Sequence, residues 1–372
     1  MTDFTEISVI DLAQDDAKIT ADFAAAYSTA GFAYIKNHGV PQSLIDAVFD
    51  ASRQFHAQTE AAKQTIALNE NHRGYIPINT STDVNSKLAD VKKPNQSSSF
   101  MMLAETELTP AEYLSGPNQW PDLPQFRDTL TTYAAQMTTL GQRLIALTAA
   151  ACNADPADLT PAFQNPTIWL RLLHYPPSPA QSPDDLYGSA PHTDFGALTL
   201  LAQDGVGGLQ VQTPSGDWVD APKIEGTFVV NVGDMLNRAS NGFLKSTPHR
   251  VINRSGRERY SIPFFFDPYI NTTIKPLNGT RLTIKGILRD RLCEVVGIEV
   301  ARVLIKAVAA ARVGPVIVGN VRCPKKLIVY INLTTAHLTS IDDNRRRVGT
   351  TREEYNEHEI HSGTCRGGHY GC

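Results

Sequence analysis

The chain has 372 residues, with 34 Lys+Arg against 38 Asp+Glu and a formal net charge of −4. So even a charge balance excludes a nucleic-acid binder held by a basic field. A 42% share of hydrophobic residues beside 19% charged excludes a mostly disordered chain.

The predicted elements alternate early and become strand-rich later. Ile7 to Leu12 reads as a short strand, Ala17 to Ser28 as a helix (Ile19, Phe23, Ala26, Tyr27 at helical spacing) and Phe32 to Ile35 as a second strand closed by Asn37-His38-Gly39. Ser43 to Thr59 repeats the helical pattern behind Pro41, residues 69–99 are polar and turn-rich, and Ala111 to Leu114 and Pro124 to Ala151 are helical again. The second half then carries short runs bounded by Gly, Pro, Asn or Asp: Trp169 to Tyr175, Ala197 to Ala202, Gly208 to Thr213, Thr227 to Val232, His249 to Asn253 and Tyr260 to Phe266. Strands spaced in this way indicate a double-sheet barrel or jelly roll. The expected class is α+β, mainly β: a double-stranded β-helix behind a helical N-terminal leader.

Composition marks the boundaries. Residues 291–372 hold twelve basic and eight acidic side chains, a net of +4 that leaves −8 on the first 290, and all Phe and Trp lie at or before Phe266. The expected division is a leader over 1–165, a jelly-roll core over 166–290 and an atypical tail over 291–372 with a closing helix at 295–312. Met1 to Glu6 lacks the basic start and apolar run of a secretory signal. The apolar stretch 295–321 is broken by Glu299, Arg302, Lys306 and Arg312, where a membrane span needs about 20 largely uncharged residues. Four of the five cysteines lie in the tail, which is no disulfide framework and points to a reducing compartment. A cytoplasmic chain without membrane or nucleic-acid partners is expected.

Three residues carry the chemistry. In His192-Thr193-Asp194 the i and i+2 side chains would share one strand face, and His249 opens a strand 55 residues further on. Two imidazoles and one carboxylate on one face of a metal are the donor set of non-haem Fe(II) oxygenases, with positions left open for small ligands. Alone, a His-x-Asp triplet is far more often an ordinary pair of loop residues than a metal site. The company it keeps changes the weighing: Arg259 and Ser261 share a strand face ten residues past His249. A barrel arginine is costly unless paired, so an anionic ligand is a natural partner, while judged alone Arg259 is equally a solvent-facing strand arginine. Gly205-Val206-Gly207-Gly208 reads as a turn, since no helix follows to make a phosphate loop. His38 reads as a turn residue, His174 as facing away from Tyr175, and Lys92-Lys93 as a solvated pair. The tail's Cys and His residues lack paired zinc spacing.

Residues 191–201 (Pro191-His192-Thr193-Asp194-Phe195-Gly196-Ala197-Leu198-Thr199-Leu200-Leu201), Gly207 to Val211, Asn231-Val232-Gly233-Asp234, Ser246 to Val251 and Arg259 to Phe266 resemble the isopenicillin-N-synthase-like family of Fe(II)/2-oxoglutarate-dependent dioxygenases. Gly31 to Val40 is similar to the same family's leader, and the resemblance spans about residues 5–290. It implies that His192, Asp194 and His249 hold iron in a jelly roll, and that Arg259 and Ser261, joined by Tyr175 before Pro176, bind the distal carboxylate of 2-oxoglutarate. Where many members carry an Asn two residues before that Tyr, this chain has Leu173. The implied cofactors are Fe(II), 2-oxoglutarate and O2, with ascorbate as a reductant. The implied reaction couples decarboxylation of 2-oxoglutarate to oxidation, mostly hydroxylation, of a small molecule. The alternatives are an oxidase of the same family that uses O2 without 2-oxoglutarate, an ethylene- and succinate-forming enzyme, and a non-catalytic jelly-roll binding module. From Gly314 onward nothing resembles the family.

Overall fold

Side-chain alternation decides which layer each strand serves. The computed structural model describes residues 3–277, apart from 82–87, 89–90, 92, 108–113, 179–180, 184 and 275. The helix expected at 111–114 and the whole tail, with its closing helix at 295–312, lie outside the described residues.

Among the described residues, twelve strands and six α-helices follow in chain order: β1 (Val9–Asp11), α1 (Asp16–Thr29), β2 (Phe32–Lys36), α2 (Gln42–His56), α3 (Glu60–Gln64), β3 (Gly74–Ile76), β4 (Ser98–Leu103), α4 (Phe126–Ala151), α5 (Pro156–Leu159), β5 (Thr167–Tyr175), β6 (Ser189–His192), β7 (Leu198–Gln203), β8 (Leu209–Gln212), β9 (Trp218–Asp220), β10 (Thr227–Val232), α6 (Asp234–Ala239), β11 (His249–Val251) and β12 (Arg259–Asp267). An eight-stranded sheet runs β1-β2-β10-β7-β12-β5-β4-β3, and a four-stranded sheet runs β6-β11-β8-β9. Together they form the expected double-stranded β-helix, with helices on the outer face of the larger sheet.

On β12, Tyr260, Ile262, Phe264 and Phe266 belong to the core against the helices. The alternate residues Arg259, Ser261, Pro263, Phe265 and Asp267 line a cavity between the sheets. The helices present matching stripes: Leu130, Tyr133, Met137, Leu140 and Leu144 are buried on α4, and Ile45, Val48, Phe49 and Phe55 on α2. Each aliphatic or Phe side chain buried there contributes about 1.5–3 kcal/mol. The α4 helix approaches so closely that a Cβ on Gly141 would lie 2.7 Å from Phe266 Cγ. A smaller core between the sheets contains Ile7, Phe32, Tyr34, Leu209, Val211, Val229 and Val251.

Three boundaries differ from the sequence expectation, each for a local reason. The α2 helix stops at His56 because Thr59 starts a new one, its hydroxyl accepting the Ala62 amide at 3.2 Å. The α4 helix begins at Phe126, since Gln125 sits at φ 60°, a left-handed conformation that a helix cannot contain. The turn-rich region 69–99 also supplies a strand, β3, and the first residues of β4. With three residues, β3 is too short for alternation to show.

Candidate active site

The smaller sheet delivers the two imidazoles. His192 ends β6 and His249 opens β11, and the two residues are register partners. Their rings lie 4.3 Å apart. His192 Nδ1 faces the Ala190 carbonyl at 2.7 Å and His249 Nδ1 faces the Thr247 carbonyl at 3.2 Å. A carbonyl can only accept, so each Nδ1 carries the hydrogen and each Nε2 carries the lone pair. Both Nε2 atoms lie 3.8 Å from Asp194 Oδ1.

Asp194 is not on a strand. The β6 strand ends at His192, so the carboxylate is placed by a turn rather than by the strand alternation expected from the sequence. The start of α6 and the end of β12 hold that turn. The amides of Asp234 and Met235 donate to the carbonyls of Asp194 and Gly196, at 2.7 and 3.1 Å, and the Gly233 amide donates to Ala197 O at 2.9 Å. Asp267 Oδ1 accepts the Ala197 amide at 2.7 Å. The packing requires glycine at 196, where a Cβ would sit 2.0 Å from Asp267 Oδ1.

The two Asp194 oxygens are differentiated. Oδ2 accepts hydrogen bonds from Thr199 Oγ1 at 2.5 Å and Asn231 Nδ2 at 2.7 Å, while Oδ1 faces the imidazoles. Burial opposes ionisation of this carboxyl, but His249, His192, Asn231 and Thr199 outweigh it and hold it below the usual range. One ligand atom from each of His192, Asp194 and His249 falls within 4.8 Å of the others. Two neutral imidazoles and one ionised carboxylate fit Fe(II) and could hold it.

Deeper in the same cavity lies a fully buried guanidinium. Arg259 is 0% exposed. It donates through Nε to Gly207 O at 2.7 Å, through Nη1 to Ser261 Oγ at 3.1 Å and through Nη2 to Gln203 Oε1 at 3.2 Å. Tyr175, its register partner, places its ring 4.6 Å below the guanidinium, and the Tyr175 and Ser261 hydroxyls are 3.3 Å apart. All of these acceptors are neutral, and among the described residues no carboxylate pairs with Arg259. A buried cation surrounded by neutral groups is completed by an anion.

The cavity has a volume of about 200 Å³, and all six residues singled out in the sequence line it: Tyr175, His192, Asp194, His249, Arg259 and Ser261. Of the weaker readings, His38 does sit in a turn, its Nδ1 accepting the Val40 amide at 3.2 Å. Gly205 to Gly208 join β7 to β8 with φ near 90° at Gly205, Gly207 and Gly208, as a turn requires. His174 points away from the cavity and stacks on Tyr260 at 4.9 Å. Lys93 pairs with Asp185 at 2.7 Å, and Lys92 lies outside the described residues.

Thr199, Asn231, Gln203 and Asp267 carry no functional signal in the sequence, although the first two fall inside the family-like segments. Their partners lie 5 to 70 residues away along the chain, so no local pattern marks them. Asp267 is 1% exposed. Burial first, and the nearby Asp194 charge after it, raise its carboxyl to about 7 against the pull of the Ala197 amide.

A jelly roll with two imidazoles and a carboxylate at one end of its cavity and a buried guanidinium without a carboxylate partner at the other defines a class, the non-haem iron oxygenases that use an anionic cosubstrate. Residues 167–268 match the model of the 2OG-Fe(II) oxygenase superfamily. Residues 7–123 match that of the non-haem dioxygenase N-terminal region named for morphine synthesis. The 2-oxoglutarate-Fe(II) type oxidoreductase hxnY of Emericella nidulans is 36% identical over 264 residues, 67% of this chain and 74% of that one. Homoarginine-6-hydroxylase of Glycine max is 31% identical over 314 residues, covering 77% and 92%. Among solved structures, a full-length Neurospora crassa protein in complex with alpha-KG and thymine is similar, with a TM-score of 0.68, 28% identity and coverage of 77% of this chain and 96% of that one. JOX2 in complex with 2OG, Fe and JA has a TM-score of 0.66 at 28% identity, with 77% and 84% covered. The chain belongs to the 2OG-Fe(II) oxygenase superfamily. It is an Fe(II)- and 2-oxoglutarate-dependent dioxygenase that uses O2 and oxidises a small molecule.

Proposed function

We propose that His192, Asp194 and His249 are the iron ligands, that Arg259 and Ser261 with Tyr175 bind the distal carboxylate of 2-oxoglutarate, and that the outcome is hydroxylation of the small molecule. The observation that carries this reading is the division of labour at Asp194: Oδ2 is held by Thr199 and Asn231, and Oδ1 lies 3.8 Å from both Nε2 atoms. Iron held there supplies the oxidative chemistry, coupling loss of CO2 from 2-oxoglutarate to attack on a substrate C–H bond. The protein's part is positional. The backbone carbonyls of Ala190 and Thr247 keep both imidazoles in the ligating tautomer. Arg259 and Ser261 anchor the cosubstrate at a distance fixed by β12. Apolar residues of both sheets, among them Leu173, Leu201 and Leu209, keep water from the reacting centre.

The division at 165/166 and 290/291 belongs to the same proposal. Supporting it, β5, β7, β10 and β12 form the middle of the large sheet, while β1-β2 and β4-β3 from the first 165 residues extend its two edges. The leader also reaches the site, since Phe32 packs edge-on against His249 with ring centroids 5.3 Å apart. A cytoplasmic location, with no nucleic-acid or membrane partner, is supported by the charge balance and cysteine usage. Among the described residues no helix is long and apolar enough to cross a membrane.

The test is metal analysis together with succinate release, with Fe(II), ascorbate and 2-oxoglutarate supplied. His249→Ala, Asp194→Ala or His192→Ala is expected to lose bound iron and turnover. Arg259→Ala is expected to keep iron but to weaken 2-oxoglutarate binding about 30-fold or more, from the ~2–5 kcal/mol lost with one partner of a buried charge pair. Full activity in His249→Ala would reject the metal assignment. An unchanged 2-oxoglutarate dependence in Arg259→Ala would move that guanidinium to the substrate.

A further inference from the structure

Register turns the cavity face of the large sheet into a grid. One row carries Gln203, Ser261, Leu173 and Ser99, on β7, β12, β5 and β4. Two residues along lies a row with Leu201, Pro263, Arg171 and Met101. Two residues further is the row of Asn231, Thr199, Phe265, Trp169 and Leu103. Of the cosubstrate anchor, Ser261 stands in the first row and Arg259 with Tyr175 two residues before it, while Thr199 and Asn231, which hold Asp194, occupy the third. Arg171 therefore stands at the level between anchor and metal site, but displaced sideways by two strands from β7. With strands about 4.8 Å apart, that offset is ~10 Å. This guanidinium lines the cavity beside, not on, the line the cosubstrate must span.

Its bonding is incomplete. Nε and Nη2 both donate to one neutral acceptor, Ser99 Oγ, at 3.2 and 3.0 Å. Among the described residues no carboxylate stands within ion-pair distance. The carboxylates that line the cavity are Asp194, facing the imidazoles, and Asp267, which holds the Ala197 amide. Once Arg259 has its anion, the cavity still contains a cation that lacks one. A planar guanidinium with free donors is matched by a carboxylate, which it binds through two parallel hydrogen bonds. Around it, Met101, Leu173 and Phe265 are apolar, and Trp169 adds a ring whose Nε1 donor has no partner among the described residues.

We propose that Arg171 is the anchor for a carboxylate on the primary substrate, which is a small monocarboxylic acid with an apolar body. This rests on the reading of Arg259 as the 2-oxoglutarate anchor. Ser99 fixes the guanidinium in the direction of the cavity, so it acts as a positioning residue for Arg171.

The experiment is calorimetric titration of the anaerobic Fe(II)–2-oxoglutarate complex with benzoate, phenylacetate and hexanoate, each compared with its primary amide. Iron content and 2-oxoglutarate affinity are measured first, on the same samples. The wild type is expected to bind at least one acid about tenfold or more tightly than its amide, the gain of one charge-assisted pair. Arg171→Leu and Arg171→Gln are expected to lose that preference while matching wild-type iron content and 2-oxoglutarate affinity. Two neutral variants are used so that a folding defect in one does not decide the matter. Equal binding of acids and amides by the wild type, or binding of neither, overturns the proposal, as does an acid preference that survives in both variants. Weakened 2-oxoglutarate binding in both variants also overturns it, by assigning Arg171 to the cosubstrate. Failure of the underlying reading is visible separately, as a wild type that takes up no iron or no 2-oxoglutarate before any acid is added.

Discussion

The Asn231 side-chain amide donates to Asp194 Oδ2 at 2.7 Å, so a residue in the middle of the large sheet aims a carboxylate that sits on a turn outside it. With Thr199 on the other lone pair of that oxygen, the carboxylate has one orientation in which Oδ1 meets both imidazoles. Asn231→Leu is expected to leave the fold intact and to weaken iron binding by about 10–100-fold, the usual cost of removing a hydrogen bond behind a metal ligand. Thr199→Val should act in the same direction. An iron titration of both variants, with melting temperatures alongside, reads the effect.

Asp267 gives the protein a distinctive pH dependence. Its folded value, about 7, lies above the ordinary 3.8. Between about 4 and 7 the unfolded chain ionises this group while the folded protein keeps it protonated. Its contribution to stability is thus fully present below about 4 and is lost as pH rises through 7, at no more than ~1.4 kcal/mol per pH unit. Asp194 is shifted the other way, downward, so its contribution disappears only below the ordinary aspartate range. Asp267→Asn keeps an acceptor for the Ala197 amide and removes the titration. Urea denaturation of the iron-free protein should show the wild type losing stability relative to the variant between pH 4 and 7, and a constant difference above that.

Two glycines separate fold from site. At Gly141 a Cβ meets the Phe266 ring, and at Gly196 it meets the Asp267 carboxyl. Overpacking of this kind costs ~1–3 kcal/mol. Gly141→Ala should lower the melting temperature while iron affinity stays near wild type, since α4 touches only the outer face of the sheet. Gly196→Ala should lower both, because the same turn carries Asp194. Metal analysis beside thermal denaturation distinguishes the two.

Every residue assigned to iron or 2-oxoglutarate lies at or before Ser261, and the tail adds neither Phe nor Trp. A chain ended after residue 313 is therefore expected to bind iron and release succinate at near wild-type rates. A collapse of either, or of the melting temperature, would place the tail in the catalytic fold.

The β12 segment shows how much the sequence alone determined. Its alternation of Tyr260, Ile262, Phe264 and Phe266 with Arg259, Ser261 and Phe265 announces a strand with one apolar face and one functional face, and His192, Asp194 and His249 stand out by donor type. Local periodicity reports which way a side chain points from its own backbone. It does not report what it meets there. That His249 stands opposite His192, that Asn231 and Thr199 converge on one oxygen of Asp194, and that Arg171 falls beside the path from Arg259 to the proposed metal ligands are consequences of register between strands distant in sequence. Asp194 makes the same point from the other side. The strand ends at His192, and the carboxylate reaches its position because α6 and Asp267 hold the following turn through backbone hydrogen bonds. Those bonds use amides and carbonyls that every residue carries, so no residue type marks them; tertiary structure alone brings them together.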